Sequence, residues 1–188
     1  AETAGFTYHD SFETQIRFPR KMDAAFGFEC IMKSFAEKTV SGYDIEILQD
    51  EIWITELNED LTAPKKDGLH RLLVSDHKNP ELGYEGSHIQ KINGYYYIFL
   101  IHSLRDRWMR TEACFYSDSL EGEFTGGDVL CDDRGYCGQG VAQGGIVDTP
   151  DGKWYAMLFQ DSGAVGRIPI LLPVTWKDHF PFFGQNGH

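Results

Sequence analysis

No stretch of this chain stays apolar for long. Its longest strongly apolar runs, at residues 95–101 and 168–174, are about 7 residues each, whereas a helix that spans a bilayer needs roughly 20. Basic residues are scarce as well: 17 Lys and Arg face 29 Asp and Glu, for a formal charge of −12, and no basic run exceeds Pro64-Lys65-Lys66. A surface of that sign repels phosphate backbones and anionic lipid heads, which excludes nucleic-acid and membrane-surface binding. The four cysteines, Cys30, Cys114, Cys131 and Cys137, are too few and too irregular for a disulfide framework. Cys131 and Cys137 also lack the two-residue gap of a zinc knuckle, so thiols or one loop disulfide are expected and no metal site. The N-terminus, Ala1-Glu2-Thr3-Ala4-Gly5, has neither the basic stretch nor the apolar core of a secretory signal, and no initiator methionine. It reads as a cut end and does not distinguish a bacterial cytoplasm from secretion.

What the chain has is globular. Its 188 residues make one domain, or part of a larger one, with 41% hydrophobic and 24% charged side chains, close to the usual folded composition. Aromatic residues are 14%, and they cluster. Asn93-Gly94 followed by Tyr95-Tyr96-Tyr97-Ile98-Phe99-Leu100-Ile101 is a turn dipeptide and then a β-branched and aromatic strand. The figure returns at Asp151-Gly152-Lys153-Trp154-Tyr155, continuing to Phe159, and a short apolar strand precedes each turn, at residues 88–92 and 145–148. This is an internal repeat.

A third strand follows each hairpin, at residues 111–116 and 165–172, and a fourth near 126–130 and 174–176. Four strands per repeat is a propeller blade, so the fold is expected to be all-β, built of blades of four antiparallel strands. Residues 51–57 and 69–74 look like the outer part of an earlier blade. Closing a ring of five such blades takes roughly 250–300 residues, more than this chain has. One stretch departs from the pattern: Phe26, Phe28, Ile31, Met32 and Phe35 approximate helical spacing, which predicts a short helical insertion near 24–38. Five glycines between residues 135 and 145 rule out a regular strand there and predict a close-packed loop or a backbone approach to a ligand.

The residues suited to chemistry sit at strand starts. Tyr84-Glu85-Gly86-Ser87-His88 puts a carboxyl at the beginning of an innermost strand, where propeller strands line the central channel. A carboxyl among aromatics would have its protonated form favoured, as general acid work demands, although an arbitrary Glu-Gly pair is more often a solvated turn. Ser87 beside His88 does not make a nucleophilic triad, which needs a base and an orienter in space. His88 is either a structural strand histidine or a donor to a ligand hydroxyl. Tyr84, Tyr136, Phe159 and Gln160 suit pocket walls, since aromatic faces stack on flat apolar rings and amides bond hydroxyls, although each taken alone is more often core or rim packing.

Glu85-Gly86-Ser87-His88 with Lys91-Ile92-Asn93-Gly94-Tyr95-Tyr96-Tyr97 resembles the acid-bearing segment of glycoside hydrolase family 43. The run from Ala142-Gln143-Gly144-Gly145 to Trp154-Tyr155, with Gly163-Ala164-Val165-Gly166-Arg167-Ile168-Pro169, is similar to a late blade of that family. The resemblance covers about residues 51–184. It implies part of a five-bladed propeller: blade remnants over 1–82 with an insertion at about 18–45, then blades over 83–130 and 140–184. It also implies inverting hydrolysis of terminal α-L-arabinofuranosyl or β-D-xylosyl groups of (arabino)xylan fragments, as a β-xylosidase or α-L-arabinofuranosidase, with an oligosaccharide or polysaccharide as the partner molecule. No cofactor is required; calcium could enter only as a structural ion.

Residue by residue, Glu85 matches the family's general acid. Tyr8-His9-Asp10-Ser11 resembles the segment whose aspartate orients that acid and tunes its pKa, which makes Asp10 the candidate, or else a cap or turn residue. Arg167 matches a substrate-binding arginine, with an ion pair to Asp148 or Asp161 as the other reading. Gln143 stands near the place where many members put a channel histidine and is counted with the substrate-binding residues. The family's catalytic base lies in an Asp-Pro segment, and no aspartate here precedes a proline. The expectation is therefore a partial chain whose missing blades come from another chain or segment, or a glycan-binding module without turnover.

Overall fold

The computed structural model describes residues 42–48 and 50–187, together with Lys38 and Val40. The helix expected near 24–38 lies, but for its last residue, outside the described residues, as do Asp10 and Cys30. Within them, three antiparallel sheets follow one another along the chain. The first holds β1 (Tyr43–Leu48), β2 (Glu51–Glu56) and β3 (His70–Ser75). The second holds β4 (Glu85–Ile92), β5 (Tyr95–Ser103), β6 (Arg110–Ser117) and β7 (Thr125–Leu130). The third holds β8 (Ala142–Asp148), β9 (Trp154–Asp161), β10 (Arg167–Lys177) and β11 (Phe180–Phe183). Every strand pairs with its successor within a sheet, and β1 approaches β4 as β4 approaches β8. First strands packed in series, with later strands leading outward, are the arrangement of propeller blades.

The continuous apolar run of β5 has a structural reason. Alternate residues of a strand point to opposite faces. Tyr97 and Phe99 enter a core shared with the third sheet, alongside Ile146, Leu158, Val174 and Phe183. Ile98 and Leu100 enter a core shared with the first sheet, alongside Ile52, Ile54 and Val74. The middle sheet is thus buried on both sides, and neither face needs polar residues. Its hairpin is tight: Ile92 pairs with Tyr95, leaving Asn93 and Gly94 at φ 49° and 89°. Two positive φ values define the turn type whose twist matches the strands, and an Asn-Gly pair adopts it at little strain.

Asp178 and His179 make the same two-residue turn between β10 and β11, at φ 49° and 68°. No glycine eases it, and tertiary contacts hold it instead. The His179 ring stacks on Tyr95 with centroids 4.6 Å apart, and its carbonyl accepts the Tyr97 hydroxyl at 2.8 Å. The second and third sheets are fastened at their far ends by this contact.

Three details differ from the sequence reading. The strands expected at 165–172 and 174–176 are one strand, β10, and the fourth strand of that sheet is β11. Pro169 and Pro173 do not interrupt β10, because β11 pairs only with Val174 to Lys177 and leaves the proline-bearing part an open edge, where a missing N–H costs nothing. The connection from β8 to β9 is longer than an Asp-Gly turn: Asp148 pairs with Trp154, and Thr149 closes the loop by bonding the Lys153 carbonyl. Finally, β1 begins at Tyr43, within the stretch read as an insertion.

Candidate active site

Glu85 is the first residue of β4, half-buried and opposite Ile101. The ladder slips between Glu85 and His88, and Gly86 lies there at φ 61°. A Cβ on Gly86 would come within 2.6 Å of the Gln143 side-chain nitrogen, so the absence of a side chain lets the Gln143 amide lie against the backbone next to Glu85. β8 carries a matching irregularity between Ala142 and Gly145, with Gln143 itself at φ 64°. A non-glycine residue held there stores on the order of 1 kcal/mol or more of backbone strain, and such strain is retained where the surroundings enforce it. Two bulges on neighbouring first strands therefore face one another beside Glu85.

The glycines after Gln143 serve the same close approach. A Cβ on Gly144 would lie 2.0 Å from the Met157 carbonyl oxygen, and one on Gly145 would lie 2.1 Å from His88 Nε2. His88 stacks on Phe99 with centroids 5.2 Å apart, and its Nε2 is buried without a hydrogen-bond partner among the described residues. Burial pulls its pKa down to about 4, so the ring is neutral near pH 7. Its surroundings are those of a packed strand histidine.

A carboxyl that the sequence reading passed over lies two strands from Glu85. Ile101, opposite Glu85, is in turn opposite Glu112 of β6. Glu112 is fully buried; its Oε2 accepts the backbone N–H of Gln143 at 2.6 Å, and its Oε1 has no partner among the described residues. Burial pushes its pKa well above the usual carboxylate range, which the Gln143 N–H only partly opposes. An acid in the apolar strand Thr111-Glu112-Ala113-Cys114-Phe115 was the available signal.

A second group surrounds Asp161. Arg167 Nε lies 3.3 Å from Asp161 Oδ1, and Arg110 Nη2 lies 2.7 Å from Asp161 Oδ2. Both guanidiniums sit over the Phe159 ring, at 4.5 Å for Arg167 and 5.2 Å for Arg110. Arg167 is largely exposed whereas Arg110 is nearly covered, so Arg110 and Asp161 hold the pair in place and Arg167 presents donors to solvent. Phe159 pairs with Ala142, one residue before Gln143, and this is how the group connects to Glu85. The ion pair with Asp161 realises one of the two readings of Arg167 and leaves its remaining donors free for a ligand.

Tyr84 and Gln160 are engaged elsewhere. Tyr84 packs edge-on against His102 and Phe115 in the core between the first two sheets, where burial and the carboxylates of Asp76 and Asp128 push its hydroxyl up to about 12. Gln160 is buried, and its amide nitrogen donates to the carbonyls of Asp133 and Gln139 at 2.7 Å each. It anchors the glycine-rich loop, which Asp133 also braces by accepting the N–H groups of Gly135 and Gly138. Cys114, Cys131 and Cys137 are free thiols. Among the described residues no group of three or more His, Cys, Asp or Glu is arranged to hold a metal ion.

Comparison with known proteins adds to this geometry. The family model of glycosyl hydrolases family 43 matches residues 39–181. A protein of Xylanibacter ruminicola, provisionally named a beta-xylosidase, is 30% identical over 102 residues, which is 53% of this chain and 19% of that protein. The solved bifunctional GH43-CE protein of Bacteroides eggerthii superposes with a TM-score of 0.67 at 42% identity, over 77% of this chain and 18% of that one. A GH43 glycoside hydrolase engineered to display both endo-xylanase and exo-arabinofuranosidase activity superposes at 0.58 with 24% identity, over 77% of this chain and 28% of that one, a likeness of fold. The chain spans about a fifth of the length of the first two.

Proposed function

This chain belongs to glycosyl hydrolases family 43, and from that premise we propose that it removes terminal α-L-arabinofuranosyl or β-D-xylosyl groups from (arabino)xylan fragments with inversion. The observation that carries this reading is the placement of Glu85 at the inner start of β4, beside a left-handed glycine over which the Gln143 amide lies. Glu85 acts as the general acid. As the glycosidic C–O bond breaks, charge gathers on the leaving oxygen, and the Glu85 carboxyl gives it a proton. Water attacks the anomeric carbon from the opposite face and loses its proton to a base carboxylate roughly 6.5–9.5 Å from the acid.

Asp10 is assigned to orienting the acid; it and the base are not among the described residues. The described residues supply the acid half and the holding of the sugar. The Gln143 amide offers a donor and an acceptor beside the acid, and the free donors of Arg167, over the Phe159 ring, suit paired sugar hydroxyls. The chemistry uses two carboxyl groups and one water, with no cofactor in any step.

Release of 4-nitrophenol from 4-nitrophenyl α-L-arabinofuranoside and β-D-xyloside tests the assignment. Glu85→Ala should lower kcat/KM by on the order of 10²–10⁴-fold, the usual contribution of a positioned acid. Equal rates from the parent and the variant would withdraw the hydrolytic reading and leave glycan binding without turnover.

A further inference from the structure

Glu112 is a fully buried carboxyl in the described core, and the mechanism above gives it nothing to do. Packing does not explain it, because a leucine would fill a similar volume without leaving an orphaned oxygen. What a carboxyl adds is an acceptor, and the acceptor is used at one place. The bulge in β8 takes Gln143 out of the ladder, and a buried N–H without a partner is costly. Glu112, reaching from β6 of the neighbouring blade, takes that N–H at 2.6 Å.

We propose that Glu112 is a positioning residue: by holding the backbone of Gln143 in its left-handed conformation, it keeps the Gln143 side-chain amide against Gly86 and so fixes the sugar-binding group next to the acid Glu85. The proposal rests on the hydrolytic reading for its kinetic consequence, though not for its geometry. A competing role has to be met. Glu85 and Glu112 lie two strands apart, about 10 Å along the sheet at the usual strand spacing, not far from the separation an inverting pair requires. Burial decides against it, since a base must hold a water in line with the sugar, and Glu112 is sealed from solvent.

The two roles predict opposite results for Glu112→Gln. A glutamine has the shape of the neutral acid, and its carbonyl can accept the same N–H; it cannot serve as a base. The experiment uses the chain as it stands, ¹⁵N-labelled, with Glu112→Gln, Glu112→Leu and Gln143→Gly. Hydrogen exchange at the Gln143 backbone amide should quicken at least about tenfold in Glu112→Leu and stay within a few-fold of the parent in Glu112→Gln. The Gln143 side-chain amide resonances should move in the leucine variant and hold in the glutamine variant. In turnover of the 4-nitrophenyl glycosides, Glu112→Leu and Gln143→Gly should each lose on the order of 10²-fold in kcat/KM, as misplacement by about an ångström does, and Glu112→Gln should rescue the loss.

Unchanged exchange and unchanged side-chain resonances in Glu112→Leu would overturn the proposal, as would a Glu112→Gln enzyme no more active than Glu85→Ala. Should the leucine variant fail to fold, Gln143→Gly decides, since it keeps the backbone N–H that Glu112 accepts and removes the side chain with its amide; activity equal to the parent would refute the role. If the parent releases no 4-nitrophenol, the hydrolytic reading fails alone, and the exchange and resonance measurements still judge Glu112.

Discussion

Acid should loosen this fold through His88, by an amount that follows from the structure. The ring lies flat on Phe99, its Nε2 pressed against the backbone of Gly145 with no partner to take or give a proton. Burial lowers its pKa from 6.5 to about 4. Between those two values the unfolded chain binds a proton at His88 that the folded chain refuses. Stability from this source is therefore complete above about pH 6.5 and lost as pH falls toward 4, at up to about 1.4 kcal/mol per pH unit. The whole interval is worth about 3 kcal/mol, a large share of the roughly 5–15 kcal/mol that holds a domain together.

Many other groups titrate in the same range, so the effect must be isolated by difference. Urea unfolding followed by tryptophan fluorescence, from pH 4.5 to 7.5, compares the parent with His88→Gln. The substitution loses the stacking on Phe99, which shifts its stability by the same amount at every pH. What remains pH-dependent is the proton. The parent should lose about 2–3 kcal/mol relative to the variant across that range, with the steepest change between about pH 6 and 4.5. A flat difference would refute the reasoning, because it would mean that the folded ring accepts its proton as readily as the unfolded one.

Glu112 titrates in the opposite sense. The folded chain keeps a proton that the unfolded chain gives up above about pH 4.3, so Glu112 costs stability as pH rises, and Glu112→Gln should gain in unfolding temperature over the parent on going from pH 4.5 to 7.5; a constant gap between the two would show that Glu112 ionises in the fold. Gly86→Ala should cost about 1–2 kcal/mol in urea unfolding, for its left-handed backbone, since the atom its methyl meets is the movable end of Gln143, while its kcat/KM on the 4-nitrophenyl glycosides should fall by far more than stability accounts for. A loss of activity no larger than the loss of folded protein would separate Gly86 from the site.

How much of this could be read from the sequence depended on whether a signal was local. The Asn93-Gly94 turn and the run after it state their own conformation, and β5 is where they placed it, with its unbroken apolar character explained by a core on each face. Local signals misled where tertiary context overrode them. The strands read at 165–172 and 174–176 are the single strand β10, whose prolines an open edge tolerates, and Asp178-His179 gave little sign of a turn that Tyr95 and Tyr97 enforce from another blade. Tyr84 and Gln160 were the right residue types for a sugar pocket, yet the fold uses one in a core and the other to anchor a loop.

Glu112 marks the limit most clearly. In the sequence it is one of 29 acidic residues, set in a strand where alternation turns acids outward as a rule. Nothing local says that a neighbouring blade will cover it, that its proton will stay on, or that its acceptor will meet the one N–H that a bulge thirty-one residues later leaves unpaired. Those facts arise only when two blades pack at the hub. Glu85 is singled out by its neighbours in the chain, whereas the contacts around Gln143 are assembled from three strands. Residues of the second kind are found by asking of every buried charge what it would cost to keep there unpaired. At Glu112 the answer leads through Gln143 to Gly86, the neighbour of Glu85.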